Sequence, residues 1–312
     1  MKRYTIRDFN ADFADDEACL RHVASMVYPS LADDGTIPCR SKKCGGELTK
    51  HYRLHARKAY TCEKCGTHVY PLAGTIFEKS STPLKSWFYA MYLMSTTRSG
   101  ISAKQLEREL GVTYKTAWRM FKQIRTLLDD NDGPLSGTVE IDETWVGGKP
   151  RYLQPRRGRR LASDPTAQTP VVGMVERDGS IKAWATKDVK TKTIKPLVLD
   201  NVVQGTTVYT DTAWQYGLVM KSGYEHSRIN HTAKVYVDGI VHTNTIEGFW
   251  MLLKNGIRGV YHSVGKDYLQ TYVDEYTFRY NHRKDETPMF QTIKSRVTKV
   301  RSGKQGAYAP VG

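Results

Sequence analysis

The chain has 312 residues, 47 Lys and Arg against 32 Asp and Glu, and a net charge of +15 at pH 7. It is long enough for two or three domains that each bury a core, and its charge favours an extended polyanion, nucleic acid first, as partner. No run of about 18 apolar residues occurs and Met1 to Phe9 lack a signal-peptide core, so a membrane protein is excluded and a cytoplasmic, nucleoid-associated one is expected.

In chain order, the expected organisation is an N-terminal segment with a zinc ribbon (1–82), a helix-turn-helix domain (83–130), a catalytic domain (131–300) and a tail (301–312). Cys39 and Cys44 enclose four residues, Cys62 and Cys65 enclose two, and seventeen separate the pairs. In a reducing compartment such pairs favour a metal over disulfides. Held on tight knuckles helped by Gly45, Gly46 and Gly66, four thiolates can meet one Zn²⁺ tetrahedrally at about 2.3 Å. Four protein ligands leave no position for water, so this site is expected to be structural. His51, His55 and His68 could each replace a thiolate, while Cys19 is expected to be a buried small hydrophobe.

From Leu84 to Leu128 the apolar residues recur at helical spacing. Helices are predicted from Lys85, over Ser102–Leu110 and over Thr116–Leu128, with Gly111 ending the second and Thr113 capping the third. The last helix would turn Tyr114, Lys115, Arg119 and Lys122 toward a DNA groove and pack through Ala117, Met120, Phe121 and Ile124. A plain helical bundle is the alternative.

After a turn-rich acidic linker at 129–134 the pattern becomes β-rich. Strands are predicted at about 138–146, 170–177, 180–187 and 206–211, with a helix near 191–202 and a further strand over Glu225–Asn230 before helices from about 243 and 265. Three strands followed by alternating helix and strand is the order of an α/β, ribonuclease H-like fold. Asp142 and Asp211 fall at or near the ends of two of these strands, and Glu247 falls in a helix. Mg²⁺ or Mn²⁺ wants carboxylate oxygen, and two such ions can activate a water or a 3′-hydroxyl and stabilise the departing oxygen of a phosphoryl displacement. Strand alternation puts Glu140 on the face of Asp142 and turns Glu143 away. Asn244 lies one helical turn before Glu247 on the same face. Residues 149–160 carry six basic side chains and no acid. Arg156, Arg157, Arg159 and Arg160 within them are expected to grip phosphate, as is Lys254, two turns beyond Glu247.

Together, Cys39, Cys44, Cys62 and Cys65, the run Ile141 to Lys149, the run Val208 to Asp211, and the run His242 to Trp250 with Lys254 resemble the DDE-type insertion-sequence transposases that carry an N-terminal zinc ribbon and are related to the Merlin DNA transposons. The resemblance spans most of residues 39–285. It implies a ribonuclease H-like core, two divalent ions, a third metal ligand that is Glu247 or alternatively Asn244, double-stranded DNA with terminal inverted repeats as substrate, strand transfer into target DNA, and a homo-dimer or higher oligomer on DNA. A domesticated, transposase-derived DNA-binding regulator and a junction-resolving nuclease are the competing readings.

Overall fold

The computed structural model describes residues 4–130, 133–147, 168–211, 223–229 and 243–298, with the side chain of Asp211 and those of Arg228 and Ile229 outside that set. The chain divides into two compact units, Met1–Leu127 with Asp285–Lys304, and a second built on Leu128–Lys284. Among the described residues no helix is long and apolar enough to cross a membrane.

The first unit opens with three helices, α1 (Ile6–Asp12), α2 (Asp16–Val27) and α3 (Pro29–Asp33). Thr5 and Asp8 form a reciprocal cap on α1, and the Asp15 carboxylate accepts the Ala18 N–H at the start of α2. Strands β1 (Thr36–Pro38), β2 (Leu48–Leu54), β3 (Ala59–Cys62) and β4 (His68–Val69) form an antiparallel sheet in that order. Cys19 is fully buried, and burial pushes its thiol up to about 12, as suits an inert apolar side chain.

Helix α4 (Leu84–Thr96) buries Leu84, Trp87, Phe88, Ala90, Met91 and Met94. Helix α5 (Ala103–Leu110) ends on Gly111 in the left-handed region, φ 63°, where a side chain would be strained. Helix α6 (Tyr114–Arg125) then begins after Thr113, whose hydroxyl accepts the Thr116 N–H. The cap is where it was predicted, and the helix starts two residues earlier than predicted.

In the second unit, β6 (Gln168–Glu176) pairs antiparallel with both β5 (Thr138–Gly147) and β7 (Ile181–Ala185), α7 (Thr191–Asn201) follows, and β8 (Thr207–Asp211) and β9 (Glu225–Ile229) continue the sheet parallel to β5. The strand order is β7-β6-β5-β8-β9. Strand alternation divides the core in two. Val139, Ile141, Val172, Met174 and Val208 pack with Ile194 and Val198 of α7. On the other face Val171, Val175, Ile181 and Ala183 pack with Ile246, Phe249, Trp250 and Leu253 of α8 (Asn244–Gly256) and Val273 of α9 (Leu269–Asn281). The architecture is therefore mixed α/β, a sheet with helices on both faces. Helices α8 and α9 approach closely at Gly256, where an added Cβ would lie 1.5 Å from the Tyr276 hydroxyl oxygen.

The last described helix, α10 (Met289–Ser295), packs against α4, and Phe290 meets the rings of Tyr4, Phe9, Phe13 and Tyr92. The sequence reading had placed this stretch in the catalytic domain, up to residue 300. It packs instead with the N-terminal unit, because its apolar anchor Phe290 fits an aromatic cluster of Tyr4, Phe9, Phe13 and Tyr92, far earlier in the chain.

Asp274 of α9 is buried and accepts a 2.7 Å bond from the Gln270 amide. Burial raises its carboxyl from 3.8 to about 7, against the lowering effect of that bond. With the folded value above the unfolded one, the folded protein binds the extra proton across this interval, and the associated stability is present below 3.8 and lost as pH rises through about 7. Urea denaturation from pH 4 to 8 should therefore show Asp274→Asn gaining on the parent up to about pH 7 and levelling off above it. Parallel profiles would show that Asp274 does not titrate in this range.

Candidate active site and cysteine cluster

Strand β5 presents Glu140 and Asp142 to the face covered by α8, as strand alternation predicts. Glu140 is fully buried and saturated with donors. It accepts the backbone N–H groups of Thr245 and Ile246 at 3.0 and 3.1 Å, the Thr245 hydroxyl at 2.9 Å and Arg177 Nε at 2.9 Å. The residue at the cap position of α8, Thr243, makes no side-chain capping bond. A carboxylate from a strand more than a hundred residues away occupies the helix N-terminus instead, satisfying two of its open N–H groups and complementing its dipole. Arg177 also lies over the Tyr209 ring at 4.6 Å, and Tyr209 is the register partner of Glu140.

Asp142 is half-buried, and its Oδ2 accepts the Trp250 indole N–H at 2.9 Å. Its partner across the sheet is Gly173, where an added Cβ would come within 2.5 Å of the Trp250 ring. The glycine makes room for the indole that reaches Asp142. Asp211 is the last residue of β8, and the β5–β8 register ends on the pair Ile141 and Thr210. Asp142 and Asp211 are thus the next residues along two neighbouring parallel strands. Glu247 lies in the first turn of α8, exposed, with its Oε1 3.3 Å from the Thr243 hydroxyl that donates to it. Asn244, the first residue of α8, is also exposed, and Lys254 lies in its last turn.

The structure therefore brings Asp142 and the helix of Glu247 together and sets Asp211 on the adjoining strand. Arg156, Arg157, Arg159 and Arg160 lie outside the described residues, with the whole basic run 149–160. Sequence reasoning missed the roles of Trp250, Gly173, Arg177 and Thr245. The sequence shows only that Glu140 shares a face with Asp142, whereas its burial and four donors make it a helix anchor.

On α6, Ala117, Met120, Phe121 and Ile124 are buried, while Tyr114, Lys115 and Arg119 are exposed. Lys122 is half-buried and lies over the Trp118 ring at 5.6 Å. Lys115 and Arg119 thus lie off the packed face, whereas Arg125 is buried beside Phe121.

The sulfurs of Cys39, Cys44, Cys62 and Cys65 all lie within 4.8 Å of one another, at 3.5 Å for Cys39 and Cys65 and 4.0 Å for Cys44 and Cys62. Thiolates about 2.3 Å from a tetrahedral ion would lie about 3.8 Å apart, so the cluster has the dimensions of a metal site. Gly45, Gly46 and Gly66, at φ 57°, 88° and 71°, let the chain turn back between the ligands. The Thr67 hydroxyl and backbone N–H hold the Cys65 thiol down to about 5, and the Thr49 hydroxyl, 3.2 Å from Cys62, lowers that thiol too. Among the described residues, no histidine joins this group; His51 is buried with Nδ1 2.8 Å from the Thr49 carbonyl oxygen.

A mixed α/β sheet with Asp142 and Asp211 at matching positions of neighbouring parallel strands, and a separate cysteine cluster able to hold a metal, define the class to compare with: α/β proteins that set acids side by side on a sheet. Residues 134–281 match the model of the ISXO2-like transposase domain. The chain is 32% identical over 238 residues, 73% of its length and 79% of the relative's, to an uncharacterized protein in transposable element ISH50 of Halobacterium salinarum. It is 28% identical over 94 residues, 30% of its length and 75% of the relative's, to an uncharacterized transposase-like protein of Haemophilus influenzae. The chain belongs to the DDE-type insertion-sequence transposases. A solved structure, the Mos1 strand transfer complex, overlaps 68% of the chain and 75% of its own at 9% identity and a TM-score of 0.29, too low to bear on mechanism.

Proposed function

We propose that the chain binds the terminal inverted repeats of its element, cleaves DNA strands there and joins the ends to target DNA, using Asp142, Asp211 and Glu247. The observation that carries this reading is the arrangement of the acids: Asp142 and Asp211 at matching positions of neighbouring parallel strands, and Glu247 on a helix bonded to one of those strands. The sheet order is that of a ribonuclease H-like core.

The donor set suits Mg²⁺ or Mn²⁺, hard ions that take carboxylate oxygen. Bound there, a pair of such ions would supply activation of the attacking oxygen and stabilisation of the leaving one. The protein's part is to orient. Trp250 holds one Asp142 oxygen, Glu140 holds the start of α8, and Lys254 on the same helix is placed to take a DNA phosphate. Asn244 remains the alternative to Glu247 as third ligand. Helices α5 and α6 act as the helix-turn-helix, with Lys115, Arg119 and Lys122 on DNA. The four cysteines hold Zn²⁺ in a ribbon that shapes the reader without entering the chemistry. Arg156, Arg157, Arg159 and Arg160 add phosphate contacts, and two protomers or more bring two ends together.

Incubating the protein with labelled end-containing duplex and Mg²⁺ tests this reading. Nicks at the element boundary that require the ion are expected. Tight binding with no cut under any divalent ion would instead make the chain a DNA-binding regulator. End binding should also weaken steeply with salt, about a thousandfold or more between 50 and 200 mM if six phosphates or more are neutralised. A salt-independent affinity measured by fluorescence anisotropy would remove the basic side chains from the interface.

A further inference from the structure

We infer that Glu140 and Trp250 are positioning residues that together fix the register of α8 on β5, and with it the placement of Glu247 relative to Asp142. The inference rests on the proposed roles of those two acids. Glu140 and Asp142 are two residues apart on one strand, an advance of about 6.7 Å. Their partners on α8, the N–H groups of Thr245 and Ile246 and the indole of Trp250, are four to five residues apart, an advance of about 6–7.5 Å along a helix axis. The two spacings match, so the strand grips the helix at two points, and Glu247 lies between them.

Apolar packing of Ile246, Phe249 and Leu253 is non-directional, so one polar grip alone fixes the helix less sharply against rotation or sliding than two. A slip of a single residue turns a helical side chain by about 100° and shifts it about 1.5 Å, enough to remove Glu247 from a shared ligand sphere. With two grips the slip breaks either the buried Glu140 bonds or the Trp250 bond. Gly173 completes the device, since the indole occupies the space that a Cβ at this position would fill, and reaches Asp142 across it. Arg177 holds Glu140 from the other side, so the carboxylate that receives the helix is itself oriented by an ion pair at 2.9 Å.

Trp250→Phe keeps most of the packed ring and removes the donor. Two readouts separate positioning from packing: Mn²⁺ binding followed by electron paramagnetic resonance on the protein bound to end DNA, and the Mg²⁺ concentration that gives half-maximal nicking. Groups that orient metal ligands typically change metal affinity or activity by 10–100-fold when replaced. Trp250→Phe is expected to weaken Mn²⁺ binding and raise the Mg²⁺ requirement by about tenfold or more, with end binding and thermal midpoint close to the parent. Glu140→Gln should act in the same direction, because its amide nitrogen must face donors on one side, either the helix N–H groups or Arg177 Nε. Unchanged Mn²⁺ affinity and Mg²⁺ requirement in Trp250→Phe would sink the inference, and so would a lowered thermal midpoint with the metal dependence intact. If Asp142→Asn, run beside them, keeps nicking, it is the active-site reading that fails. A dead Asp142→Asn with an unaffected Trp250→Phe refutes the positioning role alone.

Discussion

Glu247→Gln should abolish strand cleavage and transfer while leaving end binding near the parent value. The substitution keeps the shape of the side chain and removes its charge. A metal-held phosphoryl transition state draws several kcal/mol from its ions, and each 1.36 kcal/mol is a factor of ten in rate, so a loss of about a thousandfold or more is expected. Glu247 is exposed in the first turn of α8 and supports no core contact, which keeps folding out of the result. Asn244→Ala is the partner experiment. It removes an exposed amide one helical turn away and should leave measurable activity if Asn244 only supports Glu247. The opposite pattern, an active Glu247→Gln and a dead Asn244→Ala, would move the ligand assignment to Asn244.

The second large effect is expected in the cysteine cluster. Cys62→Ser should disorder the sheet β1 to β4 and remove end binding, with the second unit still folded. Structural zinc sites contribute about 10–16 kcal/mol of apparent binding free energy to folding, far beyond what a small sheet can replace from packing. Here the apolar support is thin: the buried residues packed around the sheet are Ala24, Ile37, Tyr60 and Val69, with Tyr28 and Leu31 partly buried. The second unit has its own two-faced core and needs no help from the cysteines. Zinc content, circular dichroism and anisotropy on labelled end DNA would check this. A metal-free protein that binds ends with full affinity would refute the structural role.

The legible parts of the chain were those with a local signal. Gly111 and Thr113 mark the turn between α5 and α6 by their own backbone and capping chemistry. The strands around Asp142 and Asp211 show in β-branched runs, and the cysteine pairs announce themselves by spacing. What stayed hidden depends on partners far away in sequence. Glu140 looks like any acid beside a catalytic one, and only the fold shows that its carboxylate ends in the N-terminus of α8. Trp250 sits within the run that carries the family resemblance, yet its bond to Asp142 spans 108 residues. Gly173 reads as a weak point in a strand until the indole above it is seen. Helix α10 gave no hint that it packs with α4, because the aromatic cluster that receives Phe290 is assembled from α1, α4 and their flanks.

The most direct measurement is a product analysis on denaturing gels, with pre-nicked element ends, a supercoiled target and Mg²⁺. The account expects element 3′ ends joined covalently to target strands at staggered positions, with the joined species absent in Asp142→Asn. Target DNA that is cut without any joined strand, or joining that persists in Asp142→Asn, would contradict it.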